Sequence, residues 1–465
     1  MNRATEEGRA GFETLVGQIM EHYDAAGMAV AVIDDKETLY QQFFGYRDVE
    51  EQVELNENTI MGMASISKSF TALAIMQLAE KGVIDLDAPL TRYLPEFRNA
   101  HQPQQVKVYH LLSHAGGFLP QRRMLVEEVA RELDIWQEGK VELGPHAGLA
   151  QRGTELVCQR LDAQTRHTGK PGEYMSYSND SYGLLSEIIR RYGGEDSFAD
   201  YVEKHIFRPL EMHRSTALFI QPAQDPNCTK LYYHKEGKRQ WCRDFYDNAF
   251  VLMGGGAVKS TLADMKQYLR MYLRGGVGPR GNRVLSEYGI REMGKPRQQY
   301  RFQEQYGYGL SVQQLDEITV IGHGGSMTGI STFFAWSPQL GVGVVVLCNT
   351  TGVPASLVAE EALRWFNGKP VPTPRTQWQD ARWSDSQIQA ACGMYHSDEG
   401  ADIELFDDGG KIGLRLAGQP KSCIAVYNDT ILIPEAFEDK DVLLLADESR
   451  GVWGLRYGGR ILSRV

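Results

Sequence analysis

Between Arg9 and Tyr23 apolar residues recur at helical spacing (Phe12, Leu15, Val16, Ile19, Met20), which predicts an amphipathic helix with a buried stripe. Two strand-length runs follow, Met28–Ile33 and Thr38–Phe44, and Asp34-Asp-Lys-Glu37 between them has the turn chemistry of a hairpin. Phe70 to Lys81 is helix-periodic and stops at Gly82. Val108–His114 reads as a short helix ending at Gly116-Gly117, and the charged stretch from Gln121 to about Arg166 is helical in character. Helices are also expected over Ser181–Gly193 and through Leu273, the latter opened by Thr261 and Asp264 at capping-box spacing. Strands return at Thr319–Ile321, Ser331–Trp336 and Gly341–Leu347, with a helix from about Ser356 to Phe366. Early and late strands thus bracket a helical middle. That order predicts an α+β fold: an antiparallel sheet closed by sequence-distant strands, terminal helices on one face and a helical lobe beside it.

The pattern changes after Gly368-Lys-Pro-Val-Pro-Thr-Pro374, a proline-rich linker. From Trp383 onward, short alternating runs are punctuated by Asp408-Gly409 and Gly458-Gly459, as in a small all-β barrel or sandwich. Residues 1–368 are therefore expected to form one domain, 369–382 a linker and 383–465 a second, all-β domain.

Composition narrows the partners. The 465 residues are 42% hydrophobic and 23% charged, with a net charge of −11 and no long basic stretch, which argues against nucleic acid or an anionic membrane surface. The longest apolar stretch, Gly341–Cys348, is too short to span a bilayer, and the first residues lack an apolar signal segment. Six scattered cysteines without Cys-x-x-Cys spacing read as reduced thiols in a cytoplasmic protein. His110 and His114 have the spacing of a helical zinc site, but Leu111 stands where a metalloprotease needs glutamate, so packing and helix-end roles are expected and no metal or other cofactor.

The chemistry concentrates in three places. Ser65-Ile-Ser-Lys68 is the one Ser-x-x-Lys in the chain, and on a helical turn it sets both side chains on one face. A serine hydroxyl needs a base at neutral pH, and a desolvated lysine one turn away can serve as one. Tyr177-Ser-Asn179 lies between a Pro171-Gly172 turn and a helix start; a phenol can relay a proton beside cations, and an amide two residues on can hold the lysine head and a substrate amide. Tyr246-Asp-Asn248 shares that pattern and is read as structural or at most at the substrate rim. Gly322-His-Gly-Gly-Ser326 follows a strand late in the chain; its glycines, Gly325 among them, let a substrate backbone approach, and the Ser326 N–H can join that of Ser65 on an oxyanion. His114, His146 and His167 also begin His-x-Gly, so position rather than pattern selects His323. The triple glycine Gly254–Gly256 lacks the context of a phosphate loop and reads as a turn needing close backbone approach.

Ser65-x-x-Lys68, Tyr177-x-Asn179 and His323-x-Gly325, in that order, resemble the class C β-lactamase, esterase and D-aminopeptidase branch of the penicillin-recognising enzymes. The phrases Ala64–Ala72, His110–Gly117 and Tyr174–Leu185 resemble that family too, over roughly Ala10 to Asn367, and the tail is similar to the lipocalin-like barrel appended to some members. The resemblance implies a β-lactamase/transpeptidase-like fold. It implies that Ser65 forms an acyl-enzyme, that Lys68 and Tyr177 move the proton, that Asn179, His323, Gly325 and Ser326 bind substrate, and that water releases the product. No Gly-x-Ser-x-Gly occurs, which excludes an α/β-hydrolase elbow.

One departure redirects the substrate. β-Lactamases and carboxypeptidases carry lysine where this chain has His323, and histidine is mostly neutral at pH 7. The expected substrates are small amides or short peptides containing D-amino acids, read from the amino end. A carboxylesterase is the alternative within enzymes, and a catalytically silent binding protein is the alternative of another class. The tail has four open roles: capping the cleft mouth, limiting substrate size, building a homo-oligomer, or plain structural cover.

Overall fold

The computed structural model describes residues 4–98, 105–122, 126–134, 147–218, 222, 224–242, 251–400 and 402–465. Tyr246, Asn248 and His146 lie outside the described residues. The strands before the tail are β1 (Gly27–Ile33), β2 (Thr38–Asp48), β3 (Val53–Glu54), β4 (Met61–Gly62), β5 (Leu231–Lys235), β6 (Lys238–Cys242) and β7 (Lys259–Ser260). They continue as β8 (Gln298–Arg301), β9 (Glu304–Tyr306), β10 (Ser311–Leu315), β11 (Ile318–Met327), β12 (Ile330–Ser337) and β13 (Val342–Cys348). Nine of them make one sheet in the order β3-β2-β1-β13-β12-β11-β10-β9-β8. Its closure is antiparallel pairing of β1 with β13, Val30 opposite Val346.

Both central strands are buried along their whole length because both sheet faces are covered. Met28, Val30 and Val32 of β1 join Val344, Val346 and Cys348 of β13 in one apolar cluster. That cluster is completed by the stripe Phe12, Leu15, Val16 and Ile19 of α1 (Glu6–His22) and by the helix Ala355–Phe366. The alternate residues Ala29, Ala31, Val345 and Leu347 face the larger cluster under α2 (Ser67–Glu80) and the helical lobe, which holds α3 (Val108–Leu112), α4 (Val126–Glu132), α5 (Ala147–Asp162) and α6 (Asn179–Tyr192). A period of two thus serves two cores at once. The expected sheet, closed by early and late strands with terminal helices on one face, is what the chain builds.

Three differences from the sequence reading have physical causes. Strands β8, β9 and β10, at one end of the sheet, and the hairpin β5–β6 are rich in Gln, Glu, Lys and Arg, so they carry little apolar signal. Strand β11 runs through His323-Gly-Gly-Ser326 rather than ending before it. A Cβ on Gly325 would sit 2.2 Å from the Met63 carbonyl oxygen and 2.5 Å from Thr332 Oγ1, so this in-strand glycine lets β11 press on the turn that carries Ser65.

The tail forms its own nine-stranded antiparallel sheet between Gly393 and Arg464, with Gly393–His396 paired to Arg460–Arg464. Its two edge strands, Gln419–Lys421 and Ile424–Ala425, are consecutive in the chain, the strand order of a curled up-and-down sheet around Tyr395, Leu405, Ile431 and Leu455. The sheet docks through its Tyr457–Ile461 turn: Gly459 O accepts from Tyr177 N at 2.9 Å, and Ile461 N donates to Ser176 Oγ at 3.2 Å. Gly459 has φ +77°, and a Cβ there would lie 2.2 Å from the Tyr300 ring, so only glycine fits this turn.

Phe70, one face away from Lys68 on α2, stacks on Tyr268 at 3.8 Å and meets Phe207 edge-on at 5.6 Å. Phe70→Ala should destabilise the protein by about 3–5 kcal/mol, read as a lower denaturant midpoint at unchanged slope.

Candidate active site

Ser65 lies in a 3-10 turn, Ala64–Ile66, that passes directly into α2 at Ser67. In such a turn residues three apart eclipse, which stacks Lys68 under Ser65. Ala64 has φ +45°, an uncommon conformation for a residue with a Cβ, and the surrounding bonds hold it. Met63 N donates to Val258 O at 2.9 Å, Val258 N donates to Ser67 Oγ at 2.9 Å, and Thr71 Oγ1 donates to Gly254 O at 2.8 Å. The glycine loop is thereby laced along the first two turns of α2, the close backbone approach expected of it.

Lys68 is fully buried. Its Nζ contacts Gly255 O at 2.7 Å, Asn179 Oδ1 at 2.8 Å and Ser65 Oγ at 3.3 Å, and lies 4.8 Å from the centre of the Tyr177 ring. The Tyr177 hydroxyl hydrogen-bonds the Ser65 side chain, and burial pushes the phenol pKa above its ordinary value. Asn179 opens α6, whose cap is Ser178: the Ser178 Oγ accepts from Ser181 N at 3.1 Å. The structure thus brings Ser65, Lys68, Tyr177 and Asn179 together.

His323, Gly325 and Ser326 line the same cleft, of about 330 Å³, with Ser65, Tyr177 and Asn179. The β10–β11 ladder ends at Ser311 opposite Gly322, so residues 323–327 lie beyond the reach of β10. His323 is committed at both nitrogens. Nδ1 lies 2.6 Å from Gly324 O, which cannot donate, so Nδ1 carries the proton; Nε2, 2.9 Å from the Tyr306 hydroxyl, then accepts from it. Burial, and next the positive charge of Lys68, push its pKa down to about 3. This histidine is neutral at physiological pH.

Four further residues adjoin these side chains, and of them the sequence singles out His114 alone, and for packing. His114, read as a packing group, has φ +55° and lies tilted against Tyr177 with ring centres 4.3 Å apart; its Nδ1 accepts from Ser178 N at 3.1 Å. Tyr306 holds His323. Glu399 and Arg460 come from the tail: Glu399 Oε1 accepts from Asn179 Nδ2 at 2.7 Å, and the Arg460 guanidinium lies 5.0 Å over the Tyr177 ring. The repeated histidines of His110-Leu-Leu-Ser-His114 were a local signal for the first of these; nothing local to residues 399 or 460 connects them with residue 179.

No group of three or more metal-ligating side chains occurs among the described residues, and no helix among them is long and apolar enough to cross a membrane. Cys158, Cys228, Cys348, Cys392 and Cys423 carry free thiols.

Similarity to known proteins agrees with this arrangement. A family model described as Beta-lactamase matches residues 12–367. The human serine beta-lactamase-like protein LACTB, mitochondrial, is 27% identical over 325 residues, covering 59% of this chain and 57% of LACTB. The chain therefore spans little more than half the length of that relative. The octameric penicillin-binding protein homologue from Pyrococcus abyssi superposes with a TM-score of 0.68 at 25% identity, covering 97% of this chain and 99% of the other, so the likeness extends through the tail. SurE solved with D-Leu has the same fold at a TM-score of 0.70 and 17% identity, covering 98% and 99%.

The buried histidines give a pH signature. Burial, and then the charge of Lys107, lower the pKa of His110 to about 4, below the ordinary 6.5, so the unfolded chain binds this proton more readily. Its contribution to stability is full above about pH 6.5 and is lost as the pH falls toward 4. Asp180 and Glu360, pushed up to about 7 by burial, act in the opposite sense, so the histidine effect is read as a difference. The stability gap between wild type and His110→Gln should narrow from pH 7 to pH 4 in thermal unfolding; a gap that widens on acidification would contradict it. From these motifs, this fold and the family match over residues 12–367, the chain belongs to the Beta-lactamase family.

Proposed function

We propose that the protein is a serine hydrolase that works through an acyl-enzyme on Ser65, with small D-amino-acid-containing amides or short peptides as substrates. The observation that carries this reading is the seat of the Lys68 amine. Gly255 O can only accept, and Asn179 turns its Oδ1 toward Nζ, so two of the amine's hydrogens are spoken for. When Nζ carries two protons, its lone pair is left for the Ser65 hydroxyl, the third neighbour, at 3.3 Å. Lys68 can then take the Ser65 proton as Oγ attacks a carbonyl carbon. Tyr177, bonded to the same hydroxyl and held as a neutral phenol by burial, passes a proton to the leaving group and recovers one from Lys68. In the second half the same groups deprotonate a water that releases the acid. The Ser65 and Ser326 N–H groups hold the oxyanion, with Asn179, His323 and Gly325 along the substrate.

The substrate class rests on His323. It is neutral and has no nitrogen left for a carboxylate, so it supplies no fixed cation for a penicillin or a C-terminal D-alanine. Uncharged acyl amides fit such a wall better; carboxyl esters are the second reading, favoured by the same neutrality. We place residues 1–368 in the hydrolase domain, 369–382 in the linker and 383–465 in the β domain. The octameric relative makes a homo-oligomer a further part of the proposal. Six scattered cysteines without Cys-x-x-Cys spacing support a cytoplasmic location.

Hydrolysis of D- and L-alanine p-nitroanilide, with p-nitrophenyl acetate and nitrocefin alongside, tests the proposal. D-anilide turnover should exceed L, nitrocefin turnover should be weak, and Ser65→Ala should lower every rate by at least about 10³-fold. Ester turnover without anilide turnover would select the esterase reading, and undiminished rates in Ser65→Ala would refute the mechanism.

A further inference from the structure

We infer that Glu399, a residue of the tail sheet, is a positioning residue for the Lys68–Asn179 pair: it sets the orientation of the Asn179 amide and so the face that amide turns to the lysine. This inference rests on the hydrolase reading above. An asparagine amide has an accepting end and a donating end that differ little in shape, and only its partners decide which way it lies. Toward Lys68 it must accept, because an amine hydrogen is aimed at it from 2.8 Å. What prevents the flipped arrangement is the carboxylate on the other side. Glu399 Oε1 lies 2.7 Å from Nδ2, and a carboxylate facing Oδ1 at that distance would be repelled.

Glu399 is itself fixed. Its side chain is 7% exposed, Arg460 Nη2 donates to Oε1 at 3.1 Å, and Arg460 Nε lies 3.0 Å from Oε2. The guanidinium that holds Glu399 also lies over the Tyr177 ring, and the neighbouring Gly459 carbonyl accepts from the Tyr177 N–H. Among the described residues, the charged and titratable groups facing this carboxylate include Arg460, Asp180 and Tyr177, with Lys68 beyond the amide. One side of the tail thus reaches both residues of the Tyr177-x-Asn179 motif, the ring through Arg460 and the amide through Glu399. Asn179 also keeps only one amide hydrogen for a substrate, since Glu399 takes the other.

The test compares Glu399→Ala and Glu399→Gln with wild type in the full chain. It follows the rate of Ser65 labelling by a fluorophosphonate, kcat and KM on p-nitrophenyl acetate, the pH profile of kcat/KM and the thermal midpoint. Glu399→Ala should slow labelling and lower kcat by about tenfold or more, with KM within about twofold. Glutamine keeps an oxygen for Nδ2, so Glu399→Gln should recover most of the rate. In both variants the acid limb of kcat/KM should move to lower pH, because a negative charge that favours the protonated forms of Lys68 and Tyr177 has gone. A purely structural role would lower the midpoint and leave that limb in place. Wild-type labelling rate and limb in Glu399→Ala would overturn the inference. Where Glu399→Ala does not fold, an unmoved limb in Glu399→Gln overturns it alone and a moved one supports it. A wild type that resists labelling would instead overturn the hydrolase reading, and this role with it.

Discussion

An amine buried out of contact with solvent must find an acceptor for each hydrogen it carries, and the architecture around Lys68 answers that demand. Among the described residues, its hydrogen-bonding neighbours come from three separate stretches: the Ser65 turn, the start of α6 and the glycine loop at Gly255. A buried donor left without a partner costs about 1–3 kcal/mol, more if charged, which exceeds the roughly 0.5–1.5 kcal/mol an ordinary hydrogen bond contributes net. The asymmetry gives the contacts their weight. Misplacing any one stretch would cost more than the contact itself is worth, so one side chain fixes sheet, lobe and loop to each other.

Charge in the cleft is distributed to match. The position on β11 that could have held a fixed cation holds a neutral imidazole bonded at both nitrogens. Near Tyr177 stand the Lys68 amine and the Arg460 guanidinium, the latter delivered by the tail and paired with Glu399. A pair of this kind is held in one arrangement by geometry rather than by net energy, since desolvation offsets much of the attraction. The cleft is lined by Lys440 and Arg460 from the tail and by Arg301 from β8, while the β11 wall at His323 is neutral.

The sequence made the sheet legible wherever both faces were covered. β1 and β13 are unbroken apolar runs, and each terminal helix shows a stripe. Strands β8 to β10, at the end of the sheet, escaped because their polar residues interrupt any such run. At the site, Ser65, Lys68, Tyr177 and Asn179 were legible because each pair sits within three residues on a turn or helix start. His323 was found, but its commitment to Tyr306 was not, since the partner is on another strand. Glu399 and Arg460 were illegible for the same reason in stronger form: their link to Asn179 and Tyr177 exists only after two sheets have docked.

The pairing of β1 with β13 also has a temporal side. On a ribosome adding about 5–20 residues per second, β1 waits for tens of seconds before β13 has been made. During that interval the hairpin with β2 satisfies one edge of β1, and the other is an open row of backbone donors and acceptors on an apolar strand. Emergence of β13, long after β1, is what ends that exposure, so of these two partners the strand made earlier stays unprotected until the later one appears.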